Sequence, residues 1–186
     1  MGKLEASRMK LHLGCGTKRI EGYINIDSRS TPAVDMVADI RNLEGFQEGT
    51  IDVIYVCHVL EHFSRWAHAK VLERWFRLLK PSGTLRIAVP DFEKVVAHYL
   101  KFGEVRKLSG ILYGRQDYPE NNHCWCWDFR ELTKDLQEAG FADIERYDWR
   151  KTDHSHIDDY SQAYLPHMDK ENGMLMSLNV EGSKPS

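Results

Sequence analysis

The stretch that decides the fold is residues 11–27, LHLGCGTKRIEGYINID, where an apolar run enters two glycines and a second apolar run ends on an aspartate. A strand that enters Gly-x-Gly lets the backbone turn sharply and lets a ligand approach it closely. Asp27 follows the second run, where a carboxylate can accept the hydroxyl hydrogens of a ribose. The dinucleotide fingerprint needs a third glycine where this chain has Arg19, which disfavours a nicotinamide cofactor. The stretch therefore predicts a site for a nucleoside without a pyrophosphate.

Strand-like and helix-like patterns alternate along the chain. Apolar runs rich in β-branched residues predict strands over 10–13, 23–26, 34–38, 51–56, 84–89, 141–148 and 174–181. Helical spacing and capping residues predict helices over 65–80 after Ser64, 92–102 after Asp91, and 129–139 after Asp128. Strands that alternate with helices predict an α/β fold with a doubly wound, mostly parallel sheet.

The connections in the N-terminal half are short. Only residues 17–22 join the first two strands, and residues 27–33 join the second to the third. Neighbouring parallel strands usually need a crossover of about a dozen residues or more. We therefore expect reduced N-terminal crossovers and a thinly covered face of the sheet. A homodimer contact, or a lid from segment 104–127 or 149–173, would bury that face; the two segments are also the expected substrate-side loops.

Size and charge limit the function classes. The chain has 186 residues, so we expect one domain over 1–186, with an N-terminal tail 1–9 and a C-terminal tail 182–186. A net charge of -3 gives no indication of a nucleic-acid or membrane partner. No apolar run approaches the roughly 20 residues of a membrane span. The N-terminus lacks the apolar core of a signal peptide, so we expect a cytoplasmic protein with four reduced cysteines.

Six blocks together carry a family resemblance. LHLGCG, the acid of INID, the aspartate of VADI, DVIYVCHVLEHF, LLKPSGTLRIAVPDF and LQEAGF resemble the class I methyltransferases that bind S-adenosylmethionine, in that family's order and over residues 10–145. CHVLEHF, VPDF and the shortened connection are similar to small bacterial methyltransferases of uncertain substrate. The resemblance implies a seven-stranded Rossmann-like sheet and in-line transfer of a methyl group.

The expected acceptor is a small molecule or a saccharide-type glycan precursor. The D/N-P-P-Y block of amine-directed DNA methyltransferases is absent after the fourth strand, and no basic groove is evident. Nucleic acid is therefore disfavoured as the acceptor. Two other classes stay open: a non-catalytic S-adenosylmethionine-binding or interaction module, and a nucleotide-sugar or nicotinamide enzyme that uses the same fold.

The resemblance also implies a set of cofactor-binding residues. The set comprises Leu13, Gly14, Cys15, Gly16, Asp27, Asp39, Ile40 and His58. The glycines would lie beside the methionyl part, Asp27 on the ribose, and Asp39 with Ile40 on the adenine. His58 would line the floor near the sulfonium. Each aspartate could instead cap a turn through its neighbouring backbone.

A general base is needed only when the acceptor atom starts protonated. The candidate catalytic residues are His123, His58 and Asp91. His123 could instead donate to a backbone carbonyl and order its loop. The pair Glu61–His62 is either an acid/base couple or a structural part of the loop after the fourth strand.

The cysteines predict no nucleophile and no metal site. Cys57 occupies the nucleophile position of cytosine-modifying methyltransferases, but Val56 replaces the usual preceding proline, so we expect a buried thiol. Neither the C-x-C of 124–126 nor the H-x-H of 154–156 has the spacing of common zinc ligands. Trp125 and Trp127, in the same region, are either core residues or a stacking wall.

Overall fold

A seven-stranded sheet forms the centre of the fold in a computed structural model, which describes residues 8–186. Its strands are β1 Lys10–Leu13, β2 Ile24–Asp27, β3 Met36–Val37, β4 Ile51–Cys57, β5 Leu79–Pro90, β6 Ala142–Arg146 and β9 Ser177–Ser183. The strand order is β3-β2-β1-β4-β5-β9-β6. The first five strands are mutually parallel, and β9 runs antiparallel to β5 and β6. The predicted mostly parallel, Rossmann-like sheet is confirmed. Of the predicted tail 1–9, residues 1–7 lie outside the described residues.

Within residues 8–186, four α-helices flank the sheet. They are α1 His68–Leu78, α2 Phe92–Phe102, α3 Val105–Tyr113 and α4 Phe129–Glu138. Asp91 caps α2 by accepting from the Lys94 N–H, and Asp128 caps α4 by accepting from the Glu131 N–H. The predicted cap at Ser64 is wrong, because α1 begins at His68 without a side-chain cap. Only the carbonyl of Ser64 contributes there, by accepting the backbone N–H groups of the turn that precedes α1.

The last predicted strand, 174–181, is divided in two. Met174–Leu175 forms β8, which pairs with β7 Tyr164–Leu165 in a separate hairpin. The side chain of Met176 is buried in a small cluster with Val95 of α2, and its N–H donates to the carbonyl of Ala163. This contact turns the chain before β9 begins. β9 itself continues to Ser183, into the segment expected as a C-terminal tail.

One face of the sheet, here called the helical face, is apolar. It presents Leu11, Leu13, Ile54, Val56, Leu85, Ile87, Leu178 and Val180. Buried side chains of α1 and α4 pack against it, with Trp75 of α1 fully buried. The Trp75 indole N–H donates to the carbonyl of Ile40 at 2.9 Å, which ties α1 to the turn after β3. Burial of this apolar surface supplies the main stabilisation of the fold.

The opposite face, here called the polar face, carries His12, Asn25, Tyr55 and Asn179. No helix joins β1 to β2 or β2 to β3, as the short connections predicted, and none joins β3 to β4. Residues 149–163, here called the cover segment, lie across this face instead.

The cover segment is attached by stacking and hydrogen bonds. The ring of His154 lies 4.0 Å from that of Tyr55, centroid to centroid. The Tyr55 hydroxyl donates to Asp159 at 2.7 Å, and the Asn179 amide donates to the carbonyl of Ser161 at 2.8 Å. Ile157 packs against a small apolar cluster beside them. Residues 149–163, which belong to one of the segments expected to bury this face, therefore cover it.

Arg19 and Asn25 hold the shortened first crossover in place. The Asn25 amide donates to the carbonyls of Ile20 and Tyr23, and its oxygen accepts the Ile20 N–H at 2.9 Å. Arg19 pairs with Asp35 at 2.7 Å, and Asp35 accepts both the backbone and side-chain N–H groups of Asn25. These hydrogen bonds and the Arg19 guanidinium lower the pKa of Asp35 to about 2. Arg19, which occupies the position of the third glycine, thus links the first crossover to Asp35 before β3.

Across residues 8–186, none of the helices combines the length and the apolar character that a bilayer crossing would need.

Candidate active site

The residues after β1, β2, β3, β4 and β5 meet at one edge of the sheet, because these parallel strands end together. Gly14 and Gly16 form the turn after β1 with φ of 66° and 55°, a region that favours glycine. A Cβ atom on Gly14 would collide with the side chain of Val59. A Cβ atom on Gly16 would have no atom within 4 Å. Gly14 is therefore needed for packing, whereas Gly16 faces open space and leaves backbone accessible to a ligand.

Asp27 connects the end of β2 to the glycine turn. Its Oδ2 accepts the Gly16 N–H at 2.8 Å, and its Oδ1 accepts the Arg29 N–H at 2.9 Å. The Thr31 hydroxyl donates to the carbonyl of Gly16 at 2.7 Å. Asp27 is 7 % exposed, and each carboxylate oxygen retains a lone pair beyond its present bond. The turn-capping alternative is thus realised, and it leaves room for a further hydroxyl donor.

Asp39 and Ile40 follow β3. Asp39 pairs with the Arg41 guanidinium through both carboxylate oxygens, at 2.6 to 2.9 Å, and also accepts the Arg41 N–H. These bonds lower the pKa of Asp39. Ile40 is partly buried and packs against the apolar core. An adenine amino group near Asp39 would share the carboxylate with Arg41.

The remaining two predicted residues of the glycine turn contribute backbone rather than side chains. Leu13 is fully buried in the apolar core. Cys15 is also buried, and burial raises the pKa of its thiol to about 11. Its N–H donates to the carbonyl of Ile26 at 3.1 Å, which joins the turn to β2.

The predicted lid segment 104–127 reaches this edge. Most of its first half is helix α3, which the sequence did not predict. The Tyr118 ring then lies under the Arg29 guanidinium, 4.3 Å from its central carbon. Farther along, the N–H groups of Cys124 and Trp125 both donate to the carbonyl of Glu61. The segment thus links the turn after β2 with the turn after β4.

Four polar side chains converge after β4: His58, Glu61, His62 and His123. Glu61 lies in a short 3₁₀ turn, Leu60–His62, and is completely buried. Its Oε1 lies 3.3 Å from His58 Nδ1 and 4.0 Å from His123 Nε2. Neither carboxylate oxygen accepts a hydrogen bond. Burial raises the pKa of Glu61 to about 8.

The histidines of this group have depressed pKa values. Burial and the neighbouring histidines lower the pKa of His58 to about 3 and that of His123 to about 4. His58 Nε2 lies 3.2 Å from the Ser177 hydroxyl, and His123 Nδ1 lies 2.8 Å from the carbonyl of Ile111. At these depressed pKa values both rings bind a proton only weakly, which makes them weak general bases. The alternative in which His123 contacts a backbone carbonyl is observed.

Asp91 lies apart from this group. Its carboxylate caps α2 and contacts Arg146 at 3.4 Å, and it is almost wholly buried. The structure therefore brings together two of the three predicted catalytic residues and gives the third a structural partner. The Glu61–His62 pair, an alternative in the sequence, lies at the centre of the group.

The cysteine alternatives have no support in the geometry. Cys57 is partly buried, and desolvation raises the pKa of its thiol well above the usual value. Among residues 8–186, the metal-ligating side chains that converge are Glu61, His62 and His123, and the 124–126 cysteines join no such group. His154 is instead buried against Tyr55 on the polar face. Of the two tryptophans, Trp127 is a core residue, while Trp125 is partly exposed.

A pocket of about 260 Å³ opens beside the histidine group. Its walls are Leu112, Tyr113, His123, Cys124, Trp125 and Cys126. His123 therefore lies between this pocket and Glu61. An aromatic and aliphatic wall with one imidazole suits a small acceptor. The sequence signal for the pocket was the aromatic and histidine-rich stretch before α4.

The chain matches a family model described as a methyltransferase domain over residues 3–146. No curated protein matches the sequence significantly. The family model spans the glycine turn, both acids and the histidine group.

Solved structures with the same fold are distant in sequence. A Thermotoga maritima SAM-dependent methyltransferase shares 14% identity at a TM-score of 0.60, covering 97% of this chain and 84% of that one. A chain from the complex between the Haloferax volcanii Trm112 methyltransferase activator and a methyltransferase shares 17% identity at 0.59, covering 99% and 85%. Burkholderia thailandensis 1,6-didemethyltoxoflavin-N1-methyltransferase, solved with 1,6-didemethyltoxoflavin and S-adenosylhomocysteine, shares 16% at 0.58, covering 96% and 72%. These likenesses establish the fold.

Proposed function

The chain belongs to the methyltransferase-domain family and is an S-adenosylmethionine-dependent methyltransferase, and we propose that its acceptor is a small molecule or a saccharide-type precursor. The observation that carries the proposal is the pocket of about 260 Å³ whose wall includes His123. A pocket of that size has room for a compact acceptor group. The same fold holds a small acceptor in the Burkholderia thailandensis enzyme.

We propose that the edge after β1, β2 and β3 binds the cofactor. The open backbone at Gly16 would admit the methionyl part, Asp27 would accept the ribose hydroxyls, and Asp39 with Ile40 would contact the adenine. The residues fit this role because Gly16 faces open space and the two acids follow adjacent strands. The bound cofactor supplies an activated sulfonium methyl group.

The chain's own residues would then position the acceptor in line with that methyl group. Proximity and orientation of this kind can contribute on the order of 7–11 kcal/mol to lowering a barrier. The His123 ring is held in place by its Nδ1, which contacts the carbonyl of Ile111, and the ring forms part of the pocket wall. This wall would orient a small acceptor from the pocket side. His58 would line the floor of the cofactor site near the sulfonium group as a neutral imidazole.

The experiment compares two glycines with the same conformation. Gly16→Val places a side chain at the cofactor edge, and Gly49→Val places one at a turn before β4, with φ of 70° and open space around it. We expect Gly16→Val to weaken binding of S-adenosylhomocysteine at least about tenfold in calorimetry, while both variants lose similar thermal stability. Equal binding by Gly16→Val and the unmodified protein would contradict the assignment. Gly14→Val is a poorer test, because Val59 blocks the added side chain.

Turnover separates the enzyme from a binding module. Formation of S-adenosylhomocysteine is measured with panels of hydroxylated small molecules, amines and nucleotide sugars, and with oligonucleotide and protein acceptors. We expect S-adenosylhomocysteine to form only with small acceptors. Tight cofactor binding without transfer to any acceptor would favour the non-catalytic module, and transfer to a polymer would refute the proposed acceptor class.

A further inference from the structure

We propose that Glu61, His62 and His123 form a binding site for a divalent first-row transition-metal ion. One ligand atom from each residue lies within 4.8 Å of the other two. Two residues come from the turn after β4 and one from the segment before α4. The site therefore joins two elements that are more than 60 positions apart along the chain.

The carboxylate of Glu61 is the first line of evidence. The side chain is completely buried, and neither of its oxygens accepts a hydrogen bond. A buried carboxyl group without such a partner is costly in either protonation state, and a metal ion is one of the few groups that can compensate for desolvation of the carboxylate. His58 Nδ1 lies 3.3 Å from Glu61 Oε1 but makes no well-formed hydrogen bond there. The carboxylate is thus held in position without a partner that satisfies it.

The tautomers of the two histidines are the second line of evidence. His62 Nδ1 lies 3.2 Å from the carbonyl of Asn122, and His123 Nδ1 lies 2.8 Å from the carbonyl of Ile111. A carbonyl oxygen only accepts, so each Nδ1 carries the proton and each Nε2 carries a lone pair. Metal-binding histidines characteristically donate their other ring N–H to a carbonyl or carboxylate in this way.

The types of ligand suit a first-row transition-metal cation. Two imidazoles and one carboxylate match zinc, iron, cobalt, nickel or manganese better than calcium or magnesium, which prefer oxygen ligands.

Three protein ligands leave coordination positions open for water or for an acceptor oxygen. His123 also lines the pocket of about 260 Å³, so an ion at this site would be next to that pocket. A role of the ion in holding the acceptor rests on the proposed function. Binding of the ion itself does not.

The test uses the full chain without a histidine tag, after removal of metal with a chelator. Zn²⁺, Co²⁺ and Mn²⁺ are added separately, and binding is followed by calorimetry and, for Co²⁺, by visible absorption. We expect one ion per chain for at least one of the three metals. Absence of saturable binding for all three would overturn the proposal.

Two variants and a control locate the ion. Glu61→Gln and His123→Gln should each weaken binding by about tenfold or more, since each removes a direct ligand. His98→Gln should leave binding unchanged, because His98 is buried in α2 outside the group. Unchanged binding in both ligand variants, or equal weakening in the control, would refute the site. If either ligand variant fails to fold by circular dichroism, His62→Gln replaces it with the same expectation.

S-adenosylhomocysteine binding is measured in the same chelator-treated samples. Cofactor binding without metal binding would refute the metal site alone. Metal binding without cofactor binding would support the metal site and count against the cofactor edge.

Discussion

The two faces of the central sheet are covered by different kinds of structure. On the helical face, α1 and α4 bury aliphatic side chains and Trp75 in one continuous core. On the polar face, the cover segment contacts Tyr55 and Asn179 through hydrogen bonds and ring stacking, with only a small apolar cluster beside them. The first face is stabilised by non-directional burial and the second by directional contacts.

This difference teaches how a sheet can lose its N-terminal crossover helices and remain covered. Helices bury an apolar stripe and need about ten residues or more for each crossover. A loop has backbone groups that need partners, so a sheet face with amide, hydroxyl and imidazole groups suits it better. Asn179 and Tyr55 supply such partners to the carbonyl of Ser161 and the carboxylate of Asp159.

The largest expected effect comes from removing the main side chain of the helical face. Trp75→Ala should lower the free energy of unfolding by about 3–5 kcal/mol, because it leaves a cavity and an unpaired Ile40 carbonyl. Denaturant unfolding measures the loss. Trp66→Ala, at a residue 75 % exposed, should change stability by less than about 0.5 kcal/mol. Similar losses in both variants would show that the helical face is not the main source of stability.

An intermediate effect is expected on the polar face. Tyr55→Phe removes the hydroxyl that donates to Asp159, and should cost about 1–2 kcal/mol, because the ring packing against His154 remains. A double-mutant cycle with Asp159→Asn measures the coupling. Proteolysis within 149–163 should become faster in the single variant. Additive effects of the two substitutions would mean that this contact does not attach the cover segment.

The smallest effect is expected at the first crossover and depends on pH. The pKa of Asp35 falls from its usual 3.8 to about 2 in the folded protein, so its contribution is present above pH 4 and is lost as the pH falls toward 2. Because the carboxylate is partly exposed, Asp35→Asn should cost less than about 1 kcal/mol at neutral pH. Urea unfolding at several pH values should show this gap closing below pH 4.

Glu21→Gln is the matched control for that measurement. Glu21 is the more exposed partner of Arg19 and contributes no bond to Asn25. Glu21→Gln should show the same pH dependence of the free energy of unfolding as the unmodified protein. A gap between Asp35→Asn and the unmodified protein that stays constant down to pH 2 would contradict the assigned role of Asp35.

Most strands and three of the four α-helices were predictable because their signals are local. Asp91 and Gly103 bound α2, and Asp128 begins α4, as the capping pattern indicated. α3 was missed because Glu104 gives it no side-chain cap at its start, and the helix is stabilised by contacts of Leu108 with Val95 and Met176. The split of the last strand was missed because it depends on tertiary contacts. Met176 is buried against distant elements, which no local pattern around residues 174–181 indicates.

At the candidate site, the glycines and the two acids were predictable from their order along the chain. Their hydrogen bonds were not, because Asp27 contacts Gly16 and Arg29 only after β1 and β2 align. The residue-level cofactor roles, the cytoplasmic location and the homodimer stay predictions. The Asp91 role as a base has no geometric support, because its carboxylate is held by Arg146 and the start of α2.

By itself, the sequence determined most of the strands and helices of a mostly parallel α/β sheet, the glycine turn and the shortness of the first crossovers, because these depend on local patterns and spacing. Only the tertiary structure decided that residues 149–163 cover the polar face and that His123 joins Glu61 and His62. Both contacts join residues that are about 60 or more positions apart along the chain. Local periodicity and spacing do not predict such contacts, because they form only when the whole chain packs.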